Sequence, residues 1–178
     1  AYSPGRRAGL RPDDATVVYS NRVREAFGDI PIVIGGLEAS LRRFAHYDYW
    51  EDKVRRSVLF DAQADILTYG MGESATLEIA ARLASGTPVS EITDVRGTCV
   101  IGKYPGLCAY PRVEVPSFEE VSASKTAYAR ANMAEYQEHD AVSGKAIVQK
   151  HGDRFLIVTP PAFPLSTREL DRVAELPY

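Results

Sequence analysis

What the sequence has little of narrows it first. Only two cysteines occur, Cys99 and Cys108, with eight residues between them and no histidine close by. That spacing suits neither a zinc ribbon nor the cysteine triplet of an iron–sulfur site, and it reads as a pair of free cytosolic thiols. The three histidines, His46, His139 and His151, are scattered, with no recognisable metal-ligand spacing. No Ser-His-Asp order, Cys-His pair or paired-carboxylate motif stands out. Long apolar runs are missing as well. Ile30 to Ile34 is a short stretch, against roughly 20 residues for a spanning helix. No basic-then-apolar leader opens the chain, so the expected location is the cytoplasm and no membrane partner is expected. Charge of one sign is not in excess either: 21 basic residues face 24 acidic ones, a net charge of -3. No global field therefore draws the chain to nucleic acid or lipid. The basic pairs Arg6–Arg7 and Arg42–Arg43 lie near acidic residues and read as solvated faces.

What is present suits an α/β domain. The 178 residues are 45% hydrophobic and 25% charged, enough to bury a real core. The opening Ala1 to Gly5 is loop-like, and no strand precedes the first helix, as expected of a piece of something longer. Pro12-Asp13-Asp14 reads as a helix start, with carboxylates at the positive end of the dipole. Val17, Val18, Val23 and Phe27 continue it as an apolar stripe up to Gly28. Ile30 to Ile34 then predicts a strand covered on both faces. It ends at Gly35-Gly36, where a helix carrying Leu37, Leu41 and Phe44 begins. Residues 65–69 repeat the pattern. A strand ends at Gly70-Met71-Gly72, and a helix runs from Glu73 through Leu83, with Leu77, Ala80, Ala81 and Ala84 as its expected buried side and Gly86-Thr87-Pro88 as its stop.

Two strands joined by helical crossovers predict a partial doubly wound, Rossmann-like parallel sheet over residues 1–102, needing further strands from elsewhere. Residues 103–178 read as a separate, less regular stretch appended to that sheet. Thr98 to Ile101 fits a short strand, and prolines and glycines at 104–111 mark irregular backbone. Ser117 and Glu120 form a capping box for one long helix to about Gln137, with Val121, Tyr128 and Ala131 inward. Residues 145–150 and 154–159 flank His151-Gly152-Asp153 as a β-hairpin. A proline-rich connector at 160–164 leads to a short helix from Ser166 to Leu176.

Chemistry is expected at the two strand-to-helix turns. Gly35, Gly36, Glu38 and Ser40 in one, and Gly70, Gly72 and Glu73 in the other, belong at the carboxyl edge of the sheet, where open α/β sheets bind ligands. Glycine lets backbone approach a ligand, and free amides at a helix start favour an anion. The same glycines also serve simply to make tight turns, and Glu38 and Glu73 also suit ordinary caps. Neither turn has full dinucleotide or P-loop spacing. His46-Tyr47-Asp48-Tyr49-Trp50-Glu51-Asp52 packs three aromatics, a histidine and three carboxylates together, including the only tryptophan. His46, Tyr47 and Trp50 there could stack a planar ligand or dock another domain, or the segment is a cover of aromatics over the sheet.

The strings TyrSerProGly at 2–5, LeuArgProAsp at 10–13, IPIVIGGLEASLRRFAHYDYWEDKVRRS at 30–57, ADILTYGMGESATLEIAARLASG at 64–86 and VTPPAFPLSTRELDRVAELPY at 158–178 closely resemble the YgiQ family of radical S-adenosylmethionine proteins. The glycine turns are similar, more loosely, to the cobalamin-binding-type domain that precedes the barrel in many such enzymes. The resemblance implies an N-terminal region leading into a radical S-adenosylmethionine barrel of the same polypeptide. It also implies a 4Fe-4S cluster and S-adenosylmethionine in the full-length parent. The CxxxCxxC motif that would hold the cluster is not in this sequence, so no cofactor or metal is expected in this chain and no catalysis by it alone. No DxHxxG is present for a histidine-ligated cobalamin; cobalamin held without a protein ligand stays open. Three functions follow as expectations: an accessory domain covering a radical enzyme's active site, a module binding cobalamin or a nucleotide, or a protein-interaction domain.

Overall fold

A computed structural model describes residue 5 and residues 7–10 and 12–177. Most of the expected opening loop, Arg6 of the first basic pair, Arg11 and Tyr178 lie outside the described residues.

The chain is an α/β fold built on a six-stranded sheet. In chain order its elements are α1 (Ala15–Phe27), β1 (Val33–Ile34), α2 (Gly36–Leu41), β2 (His46–Asp48), β3 (Lys53–Arg55), α3 (Val58–Asp61), β4 (Ile66–Thr68), α4 (Glu73–Ala84), β5 (Thr98–Gly102), β6 (Arg112–Val115), α5 (Phe118–Ala123), α6 (Lys125–Gln137), β7 (Ala146–His151), β8 (Arg154–Val158) and α7 (Thr167–Ala174). The sheet order is β1-β4-β5-β8-β7-β6, and β2 and β3 form a separate hairpin. The expected parallel unit is there: β1 pairs β4 in parallel, Val33 opposite Ile66 and Ile34 opposite Leu67. From β4 the sheet continues antiparallel through β5, β8 and β7, and β6 closes the far edge in parallel with β7. The further strands that the parallel pair needs thus come from residues 98–158. The hairpin β7–β8, expected as an addition to the sheet, supplies two of its inner strands.

Alternation along the strands splits the core between two faces. Leu67, Tyr69, Cys99, Ile147, Leu156 and Val158 pack with Ala39 of α2 and with Val58 and Leu59 of α3. Ile66, Val100, Val148 and Ile157 pack with Ala75 and Ile79 of α4. A third cluster joins Ala45 beside the β2–β3 hairpin to Val121, Ala127 and Ala131 of α5 and α6. Cys99 and Cys108 are free, buried thiols in the first and second clusters respectively.

Several details depart from the expectations. The long helix over 117–137 is two. The capping box of Ser117 and Glu120 opens α5, but Ser124 is extended (φ -142, ψ 118) and caps α6 by accepting a hydrogen bond from the Ala127 amide. A hydroxyl that can bond its own backbone competes with helix continuation at such a site. A second capping box, Ser166 with Glu169, starts α7. The segment 104–111 leads directly into β6, whose Arg-Val-Glu-Val alternation turns Val113 and Val115 inward but, at four residues, is too short to stand out from the irregular stretch before it. Two buried faces were misassigned, one wholly and one in part. On α4 the buried residues are Ala75 and Ile79, whereas Leu77 is 73% exposed and Ala80, Ala81 and Ala84 face outward. On α1 half of the expected stripe holds: Val17 and Val23 pack against the core, but Val18 and Phe27 are exposed, and Ala15 and Ser20 are buried instead.

Candidate functional site

Parallel pairing brings the two glycine turns side by side. Because β1 and β4 end in register, Gly35 lies against Thr68. A Cβ built on Gly35 would meet the Thr68 hydroxyl at 2.5 Å, so the side chain of one strand end fills the space that the other leaves. Gly36 (φ +84) and Gly70 (φ +67) hold left-handed backbone that favours glycine. Gly72, which N-caps α4, has an ordinary φ of -87. A Cβ there would reach the Thr68 hydroxyl at 3.5 Å, a normal contact, and the fold does not require glycine at this position. Glu38 is engaged internally, accepting a hydrogen bond from Thr16 at 2.7 Å and standing 3.8 Å from Arg42. Ser40 gives its carbonyl to Arg43 at 2.6 Å. Glu73 is exposed in the first turn of α4.

The antiparallel neighbours widen this rim. The Tyr69 amide donates to the Gly97 carbonyl at 2.9 Å, and the Gly97 amide to that of Pro160 at 2.8 Å. The Tyr69 hydroxyl donates to the Thr159 carbonyl at 2.5 Å, and burial holds its pKa well above the usual phenol range. Beside α4 the rim opens into a cavity of about 480 Å³ whose wall includes Ser74, Glu78, Arg82, Asp94, Arg96, Tyr110 and Phe163. Arg96 stacks on the Phe163 ring at 4.2 Å and donates to the carbonyls of Pro161 and Ala141. Arg82 bridges Asp94 and Glu78, both at 2.5 Å, and the Arg82 guanidinium holds Asp94 below the usual carboxylate range. None of these residues was singled out in the sequence. They are spread over some ninety positions, and only the β5–β8 pairing gathers them.

The aromatic segment is a β-hairpin, β2–β3, with His46 opposite Arg55 and Tyr47 opposite Val54. Asp48, nearly fully buried, organises it. Its carboxylate accepts from the amides of Trp50 and Glu51 at 3.0 and 3.3 Å, with Arg42 and Arg55 each 3.8 Å away. Burial works to raise the Asp48 pKa, but the two amides and the two guanidinium groups outweigh it and hold it below the usual range. Asp14 joins the same network, 3.0 Å from Arg42 and 3.4 Å from Arg55. Burial, with Arg42 nearby, lowers the His46 pKa. Its Nδ1 faces the Phe44 carbonyl at 3.1 Å, and its buried Nε2 has no partner. The Tyr47 hydroxyl donates to Asp52 at 2.6 Å, and the Trp50 ring tilts onto Tyr49 at 4.6 Å. Thus Gly35, Gly36, Glu38, Gly70, Gly72 and Glu73 gather at the rim and the start of its two helices. His46, Tyr47 and Trp50 belong to a second surface, reached along α2.

The Radical SAM N-terminal family model matches residues 1–178. The chain belongs to this family. It is 52% identical over 178 residues to a UPF0313 protein of Geobacter sulfurreducens, a match covering 100% of this chain and 29% of the relative. A UPF0313 protein of Clostridium botulinum is 52% identical, with 99% of this chain and 27% of the relative covered. One of Methanocella arvoryzae is 48% identical over 177 residues, covering 99% and 29%. The resemblance to the YgiQ family is thereby shown, and the chain spans under a third of the length of these relatives. No solved structure matches it.

The family's name raises the question of whether these residues fit an iron–sulfur cluster. They do not. Cys99 is fully buried on one side of the sheet and Cys108 belongs to the cluster on the other. Burial also pushes the Cys99 thiol up to about 12, far from the thiolate that a metal binds. Among the described residues no group of three or more His, Cys, Asp or Glu is arranged to hold a metal, and no helix is long and apolar enough to cross a membrane.

Proposed function

We propose that this chain is the accessory N-terminal region of a radical S-adenosylmethionine enzyme. In this reading the rest of the polypeptide supplies the 4Fe-4S cluster and S-adenosylmethionine, and the rim formed by the two glycine turns faces the reaction centre. The observation that carries the reading is the state of the rim. Gly35, Gly36 and Gly70 are accounted for by internal packing or left-handed backbone, but Gly72 and Glu73 are left unused by the fold, at the start of a twelve-residue helix beside Thr68. Amides at a helix start that no side chain caps suit close approach of a polar ligand group. The cytoplasm is the compartment proposed for the whole enzyme. Cobalamin or a nucleotide as the rim's ligand draws on the same residues, and no separate observation favours it.

The test uses full-length protein with its cluster reconstituted. Gly72→Leu gives up the N-cap preference of glycine over leucine, about 1 kcal/mol, and should lower the unfolding midpoint by only a few degrees, leaving the protein folded at assay temperature. It should lower the rate of reductive S-adenosylmethionine cleavage, read as 5'-deoxyadenosine release, by about tenfold to a hundredfold through displaced reactants. Full activity in both Gly72→Leu and Glu73→Gln would remove the rim from the reaction. Retention of a cobalamin spectrum that Gly72→Leu abolishes would favour the binding module instead.

A further inference from the structure

The apolar side chains that sequence pattern assigns to helix interiors, but that the fold turns outward, mark a second surface. On α2, Ala39 is buried, while Leu37 and Leu41, one turn apart on the same face, are 77% and 69% exposed. Leu41 shares a cavity of about 300 Å³ with Tyr47, Tyr49 and Trp50 of the hairpin tip, and Trp50 is 78% exposed. Isolated exposed apolar residues need no explanation, but a contiguous set that includes the only tryptophan marks an interaction site. Tryptophan and tyrosine are the residues on which interfaces concentrate their binding energy. The set is also held rigid before any partner arrives. Asp48 pins the tip through the Trp50 and Glu51 amides, and Arg42 and Arg55 tie it to α2, to β3 and to Asp14 beneath. A surface ordered in advance loses less entropy on docking.

We propose that Leu37, Leu41, Tyr49 and Trp50 form the seam onto which the remainder of the same polypeptide packs. The inference rests on the proposed function for the presence of that remainder, and the page supplies a reason to choose it over a second copy of this chain. The relatives extend far beyond the match, which covers 27% to 29% of their length. A free partner needs roughly 20–30 residues a side for stable association. A tethered one, present at high effective concentration, is held by far fewer. Four large side chains meet the second requirement and fall short of the first.

Hydroxyl-radical footprinting of full-length protein, read residue by residue by mass spectrometry, tests the seam without reference to catalysis. Oxidation of Trp50 and Tyr49 should be severalfold slower in the native protein than in the same protein in denaturant. Trp50 labelled as fast as in the denatured chain would overturn the proposal, as would protection that grows with protein concentration, since that is the behaviour of an interface between copies. Leu41→Glu should restore Tyr49 labelling while the Trp50 amide stays bonded to Asp48. Tyr49 protection that survives Leu41→Glu would also overturn it. Because the readout is accessibility, the seam can fail while Gly72→Leu still impairs cleavage, and the rim can fail while the seam stands.

Discussion

His151 is sandwiched between the rings of Phe60 and Phe118, with centroids at 4.7 and 5.6 Å. Its tautomer is set by a glutamine. Gln149 donates its Nε2 to the Pro116 carbonyl, leaving Oε1 to accept from the Ala45 amide and from His151 Nε2 at 3.1 Å. His151 Nδ1 is buried without a partner, and burial depresses the ring's pKa to about 4. Glu135 has the opposite bias: burial raises its pKa to about 7 against the opposing charge of Arg43. The signs follow from proton counting. Between about 4 and 6.5 the unfolded chain binds the His151 proton and the folded one does not, so this residue's contribution makes stability rise with pH. Between about 4.5 and 7 the folded chain holds the Glu135 proton and the unfolded one does not, so its contribution makes stability fall. Over the shared window, about pH 4.5 to 6.5, the two oppose each other. His151→Gln should give stability that falls with rising pH and Glu135→Gln stability that rises, each by at most about 1.4 kcal/mol per pH unit. Urea melts of the two variants across that window read the slopes, and parallel slopes would refute the assignment. None of this was legible in the sequence, where His151 reads as a residue in a turn. Only the stacking of Phe60 and Phe118 from two helical segments makes it a core residue.

At the scale of elements, the strand-glycine-helix units were readable because glycine and β-branched residues carry their own backbone preferences. The positions of β1, β4 and their following helices came through, as did the Ser117 capping box, a local hydrogen-bond pattern. Which side of a helix is buried was not readable, because it depends on what lies across from it. Alanines 80, 81 and 84 face out because Ala75 and Ile79 already fill the space over Ile66 and Val100. How two turns fit together is equally non-local, and here it has a measurable consequence. Gly35→Ala should cost about 1–3 kcal/mol, since the new methyl group must displace the Thr68 hydroxyl from 2.5 Å. In a Thr68→Ala background most of that cost should vanish, a coupling of about 1 kcal/mol or more by double-mutant cycle. Additive effects would mean that the two strand ends do not share that space, and the rim would lose its register.

For the whole molecule, the expected division at residue 102 separates two stretches of sequence but not two sheets. β5 lies between β4 from the first stretch and β8 from the second, with Val100 opposite both Ile66 and Ile157. Sequence pattern placed each of these strands nearly correctly yet could not say which would pair, because registers between segments some fifty residues apart are decided by shared burial. Leu156 and Ile157 are fully buried, each on a different face, so the second stretch completes both halves of the core. A chain ending at residue 102 would leave one edge of β5 without hydrogen-bond partners and expose the side chains of Cys99 and Val100 that β8 flanks. The cost of an open apolar strand edge is association or unfolding. Residues 1–102 alone should therefore show no cooperative thermal transition and a collapsed amide proton spectrum, while residues 1–178 should unfold in one step by both far-ultraviolet and near-ultraviolet circular dichroism. A well-dispersed spectrum from the shorter chain would mean that the parallel unit is self-sufficient. The glycine rim would then owe its shape to the first hundred residues alone, without Thr159, Pro160 and Phe163 to back it.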